Sequence, residues 1–151
     1  IPVSGKFSSR QKLVYQSVLN VKNETEKLLI NGNSIKDLNS NAGEIMTEEL
    51  VKLGLLKIKD IKNQNPKAPL YKKYFMHGIS HHIGLDTHDV GSWINPIEKD
   101  MVFTVEPGIY IPEENLGIRL EDDVVVQPRG EPFNLMKNIP LEAEEIEDLM
   151  N

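Results

Sequence analysis

The apolar positions follow a helical period in the first third of the chain and a strand-like period further on. In residues 8–30, SSRQKLVYQSVLNVKNETEKLLI, the residues Leu13, Val14, Val18, Val21, Leu28 and Leu29 recur at helical spacing. Ser8 or Ser9 can cap that helix, because a serine hydroxyl accepts from a first-turn N–H that has no intrahelical partner. NGNS at 31–34 breaks the pattern. A second helix is predicted over 35–53, with Ser34 as its cap. Its stripe is Ile35, Leu38, Ala42, Ile45, Met46 and Leu50, and Gly54 ends it. Both stripes read as core-facing.

Residues 56–73 are polar and lysine-rich, with Pro66 and Pro69, and predict a long surface connection. Beyond Tyr74 the segments MVFTVEPGIYI (101–111) and GIRLEDDVVVQ (117–127) read as strands joined through PEENL. Residues 135–140 are irregular, and LEAEEIEDLM (141–150) predicts a short acidic helix. Two helices followed by a block of strands indicate an α+β fold, with the helices packed on one face of an antiparallel sheet.

Composition narrows the partners. The 151 residues weigh 17.1 kDa, a size that buries a core without disulfides, and one domain over 1–151 is the default. The net charge is −6, which argues against nucleic acid or an anionic membrane as a partner. The absence of cysteine excludes thiolate zinc sites and fits a reducing compartment, so a cytoplasmic location is expected. No apolar run reaches the length of a membrane span.

The chemistry is concentrated in HGISHHIGLDTHD (77–89), which holds all four histidines: His77, His81, His82 and His88. On a helix His77 and His81 would share a face. Gly78 and Ile79 favour an extended backbone, on which His77, Ile79 and His81 point the same way. In 117–127 one face carries Ile118, Leu120 and Asp122; the other carries Arg119, Glu121 and Asp123. Charges inside an apolar strand need a partner or a metal, or else lie on a solvated sheet face. Glu106 precedes the Pro107–Gly108 turn. Imidazole with carboxylates and no sulfur suits zinc, manganese, cobalt or iron.

Three ordered segments, HGISHHIGLDTHDVG, TVEPGIYI and GIRLEDDVVV, resemble the C-terminal signatures of aminopeptidase P. These Xaa-Pro aminopeptidases are metallopeptidases of the pita-bread fold, which prolidase shares. PVSGKF and ELVKLGLL match the same pattern. The resemblance implies a two-metal centre, with manganese foremost and zinc or cobalt as alternatives. His81 and Glu106 would ligate one ion, and Glu121 would bridge both. His77 and His88 would contact the peptide and the developing oxyanion. Glu106 would also assist proton transfer, and Arg119, with Tyr110, would join a relay near the metals. His82 matches no functional position and is expected at the surface or in packing.

The family pattern also has two aspartates on strands ahead of PVSGKF. The aspartates here, at 37, 60, 86, 89, 100, 122, 123 and 148, lie elsewhere. The chain is therefore expected to be the C-terminal half of a pita-bread catalytic domain, holding at most one ion and inactive alone. The complete protein is expected to remove a residue that precedes proline, and to self-associate. Prolidase activity, or a non-catalytic module that binds peptides or partners, are the alternatives.

Overall fold

The computed structural model describes residues 1–150. Helix α1 spans Ser9–Glu26 and α2 spans Ile35–Lys52. At the start of α1, Ser8 Oγ accepts from Gln11 N while Gln11 Oε1 accepts from Ser8 N, a reciprocal capping box. Ser34 Oγ accepts from Asp37 N at the start of α2. Leu53 caps the C-terminus of α2, and Gly54 takes the left-handed conformation (φ +75°) that glycine adopts without steric cost.

Most of the predicted stripes are core. Val14, Val18 and Val21 from α1 meet Leu38, Ala42, Met46 and Leu50 from α2, all fully buried. Leu13 is the exception: it is 59% exposed, because the inward face of α1 is taken by Val14, Val18 and Val21 and a second face by Tyr15 and Leu19. That second face packs on α4 (Ala143–Leu149), the predicted acidic helix. Tyr15 Oη donates to Leu141 O at 2.7 Å, and burial pushes the Tyr15 phenol up to about 12.

The polar connection is more ordered than expected. It contains a short helix, α3 (Ile58–Lys62), and a 3-10 turn at Leu70–Lys73. The Tyr71 ring of that turn lies against Gly43 of α2, where any side chain would collide with it.

Neither predicted strand is continuous. Residues 101–111 split into β1 (Val102–Val105) and β2 (Gly108–Ile111). Residues 117–127 split into β3 (Leu116–Arg119) and β4 (Asp122–Val125). β1 pairs with β4, and β2 pairs with β3, both antiparallel. β5 (Phe133–Asn134) adds to the outer edge of β4. The same register runs through both ladders, as in one long hairpin with a gap at 106–107 and 120–121. In the gap Leu120 N donates to Pro107 O at 3.2 Å. Proline has no N–H to return that bond, so the ladder breaks there.

The histidine segment runs along the free edge of β1 without forming a regular strand. Thr104 N donates to His81 O, Glu106 N to Ile79 O, and Ile83 N to Val102 O, and His82 makes an isolated bridge with Phe103. The order across the sheet is thus residues 79–83, β1, β4, β5. Phe103, Val105 and Val124 fill the core side. The helices cover that side, and the observed class is α+β, as expected.

Candidate metal centre

Three side chains from three neighbouring extended segments converge. His81 comes from the edge segment, Glu106 from just after β1, and Glu121 from just before β4. One ligand atom of each lies within 4.8 Å of the others. The two glutamates flank the break in the hairpin, so the proline that interrupts the ladder also frees the backbone beside both carboxylates.

The His81 ring is oriented by its own neighbour. Nδ1–H donates to His82 O at 2.9 Å, because a carbonyl can only accept. In the neutral ring Nε2 then carries a lone pair, and it faces Glu106 Oε1 at 3.5 Å. Two acceptors facing one another in a site that leaves His81 only 8% exposed require a cation or a proton between them. Two ligands about 2.1 Å from one ion stand about 3.0–3.5 Å apart in tetrahedral or octahedral geometry. The donor set and its spacing therefore fit a divalent ion. His81 N is held in turn by Thr104 Oγ1 at 3.1 Å.

The other predicted residues surround this point. His88 stacks edge-on against His81, with ring centroids 4.4 Å apart. Arg119 Nη1 lies 3.7 Å from Glu106 Oε2, close enough for attraction but beyond hydrogen-bond length. In His77, Nδ1 donates to Gly78 O at 2.8 Å, and Nε2 accepts from Tyr110 Oη at 2.9 Å. Both His77 nitrogens are engaged, so a hydrogen bond from His77 to another molecule requires Tyr110 to give way or to relay the proton. His82 is a packing residue: it is 8% exposed, against Phe103 at 4.4 Å and Trp93 at 5.5 Å.

A cleft of about 430 Å³ opens over these groups, lined by His77, Ser80, His81, His88, Trp93 and Glu106 among others. Asn39 also lines it, and its Oδ1 accepts from Ile79 N at 3.2 Å. Nothing in the sequence singles out Asn39, a polar residue one position after Leu38 of the helical stripe. Asp89 was equally hidden as to role. Its carboxylate accepts from Leu85 N at 2.9 Å and from Val90 N at 2.8 Å, closing the loop that carries His88.

A buried, hydrogen-bonded imidazole beside two opposed carboxylates, at the break in an interrupted hairpin, defines a candidate metal-site protein of the α+β class. The chain belongs to metallopeptidase family M24, whose model matches residues 1–128. It is 40% identical to a Xaa-Pro aminopeptidase of Haemophilus influenzae over 99% of its length, covering 37% of that relative. It is 36% identical to intermediate cleaving peptidase 55 of Schizosaccharomyces pombe over 98% of its length, covering 31% of that protein. Zinc-substituted aminopeptidase P of Escherichia coli, solved in complex with product, superposes with a TM-score of 0.85 at 39% identity. That match spans 99% of this chain and 36% of the other. The chain thus spans about a third of the length of the curated relatives it matches.

Proposed function

We propose that residues 1–151 form the C-terminal part of the catalytic domain of a Xaa-Pro aminopeptidase. The observation that carries this reading is the convergence of His81, Glu106 and Glu121, with an imidazole lone pair turned onto a carboxylate. Family membership and the names of the relatives support it. His81 and Glu106 would hold one ion, and Glu121 would be shared with a second. The triplet is the only such group among the described residues, so the remaining ligands would come from outside it.

Two divalent ions held in this way supply water activation and polarisation of the scissile carbonyl. Manganese is the proposed metal, with zinc and cobalt as alternatives that the same ligands accept. This chain alone holds at most one ion. His88, above His81, donates to the oxyanion as it develops. His77 binds the peptide through the Tyr110 hydroxyl. Glu106 would take a proton from the attacking water and pass it to the leaving amine, and Arg119, whose Nη1 lies 3.7 Å from Glu106 Oε2, would help to orient that carboxylate.

The substrates are peptides with proline second, a reading supported by an aminopeptidase P structure that contains the inhibitor Pro-Leu. We place the protein in the cytoplasm as a homo-oligomer. No helix among the described residues is long and apolar enough to cross a membrane, although one relative, from Arabidopsis thaliana, is mitochondrial. The test is hydrolysis by the full-length protein of Xaa-Pro-Yaa peptides and Xaa-Pro dipeptides with each metal added. Release of the first residue from tripeptides is expected. Cleavage of dipeptides alone would reassign it as a prolidase, and no proline-dependent cleavage would leave a binding module.

A further inference from the structure

Lys22 is 1% exposed and Asp122 is 3% exposed, and they form an ion pair at 2.5 Å. Lys22 lies on α1. Asp122 opens β4, directly after Glu121. Two further groups close the cluster. Glu26, one turn along α1, pairs with Lys22 at 2.9 Å, and Asn134 of β5 donates to Asp122 Oδ2 at 2.7 Å and to both Glu26 oxygens at 3.1 Å. One helix and two strands are thereby tied at a single buried polar point.

Burying two charges is costly, and such pairs are commonly replaced by apolar residues without loss of stability. Stability alone therefore does not account for this cluster. Its position does more. The side chain of Asp122 is pinned on the α1 side, and its backbone pairs with Val105, the neighbour of Glu106. Neighbouring residues on an extended chain project to opposite faces. Holding Asp122 toward α1 turns Glu121 toward Glu106 and His81. Glu121 itself lies in the gap, outside both ladders, so the pinned Asp122 is its nearest fixed neighbour.

We infer that the Lys22–Asp122–Glu26–Asn134 cluster is a positioning device that aims Glu121 at the metal centre. The inference rests on the metal-site reading above. Lys22→Met with Asp122→Leu in the full-length protein removes both charges together. The expected result is a metal-free melting temperature equal to or above the wild type. Manganese or cobalt binding, read by calorimetry, weakens at least tenfold. In a Glu121→Ala background, titrated at metal concentrations high enough to load the remaining His81–Glu106 pair, the same double change has no further effect on the residual affinity, because it acts through Glu121.

Unchanged affinity in a folded double variant overturns the inference, as does an equal loss in the Glu121→Ala background. Should the double variant fail to fold, Asn134→Ala is judged by the same two measurements, with about threefold weaker binding expected. Absence of metal binding by the wild type itself sinks the metal-site reading, and this inference with it.

Discussion

Glu106 and Glu121 stand opposite one another in the register of the interrupted hairpin, one step beyond the Val105–Asp122 pair. Like charges placed directly across a strand pair repel. A cation bound between them, as proposed above, would offset that repulsion, at the expense of stability when the metal is absent.

That trade can be measured. Glu121→Gln removes the repulsion and is expected to raise metal-free stability by a few tenths of a kcal/mol, up to about 1 kcal/mol. Manganese affinity should fall in the same variant. Chemical denaturation with chelator present, alongside calorimetric titration, reads both; a loss of metal-free stability would show that the two carboxylates are not opposed in solution.

Ligand and non-ligand roles separate by metal content. In the full-length protein, Glu121→Ala is expected to lose bound metal, whereas His88→Ala keeps it and loses turnover, since His88 meets His81 edge-on and is not one of the three converging ligands. Elemental analysis of both variants decides the matter. Equal metal loss would make His88 a ligand or a structural residue.

Gly91→Ala tests the packing beneath the loop that carries His88. A Cβ at residue 91 would collide with the His82 ring, which Phe103 and Trp93 already hold. Overpacking of this kind costs about 1–3 kcal/mol. A lowered denaturation midpoint with metal content retained is expected. An unchanged midpoint would mean that the loop moves aside freely.

The docking of α4 onto α1 should be acid-sensitive. Glu147 accepts from Phe7 N and pairs with Lys12, which also pairs with Glu144. The Phe7 N–H and then Lys12 hold the Glu147 carboxyl below its ordinary value of 4.5, and Lys12 foremost does the same for Glu144. A lowered folded-state pKa contributes stability that is present above the unfolded value and lost as pH falls through the folded value. Hydrogen-exchange protection across 143–149, corrected for the intrinsic pH dependence of exchange, should therefore fall below about pH 4.5, and Lys12→Met should weaken that dependence. Protection in this helix that is flat down to pH 3 would refute the role of these pairs.

Residues 1–151 alone are expected to show no appreciable peptidase activity, even with excess manganese. On the proposed ligand set, His81, Glu106 and Glu121 would hold one ion with solvent completing its shell, and half of a two-metal clamp would supply neither the activated water nor the full charge stabilisation. Activity near that of the full-length protein would show that the second ion's ligands lie within this chain.

The sequence determined the elements whose signal is local. Capping serines, the helical stripes of α1 and α2 and the acidic terminal helix follow from spacing and side-chain chemistry, and each stands in the structure. The motifs around His77–His88, Glu106 and Glu121 also stood out as residues, because charge within apolar strands is legible in one dimension. The tertiary structure alone decided how those residues meet. Periodicity cannot reveal that Pro107 breaks a ladder whose register continues on either side, since a pairing partner lies outside any sequence window. Nor can it foresee that Leu13 faces solvent while Lys22 is buried, because each depends on which helix face its neighbours occupy. The aspartate that ties down Lys22 is far from it in sequence, and only folding brings the two together; the carbonyl that orients His81 belongs to the next residue, and which ring nitrogen meets it depends on how the side chain is packed.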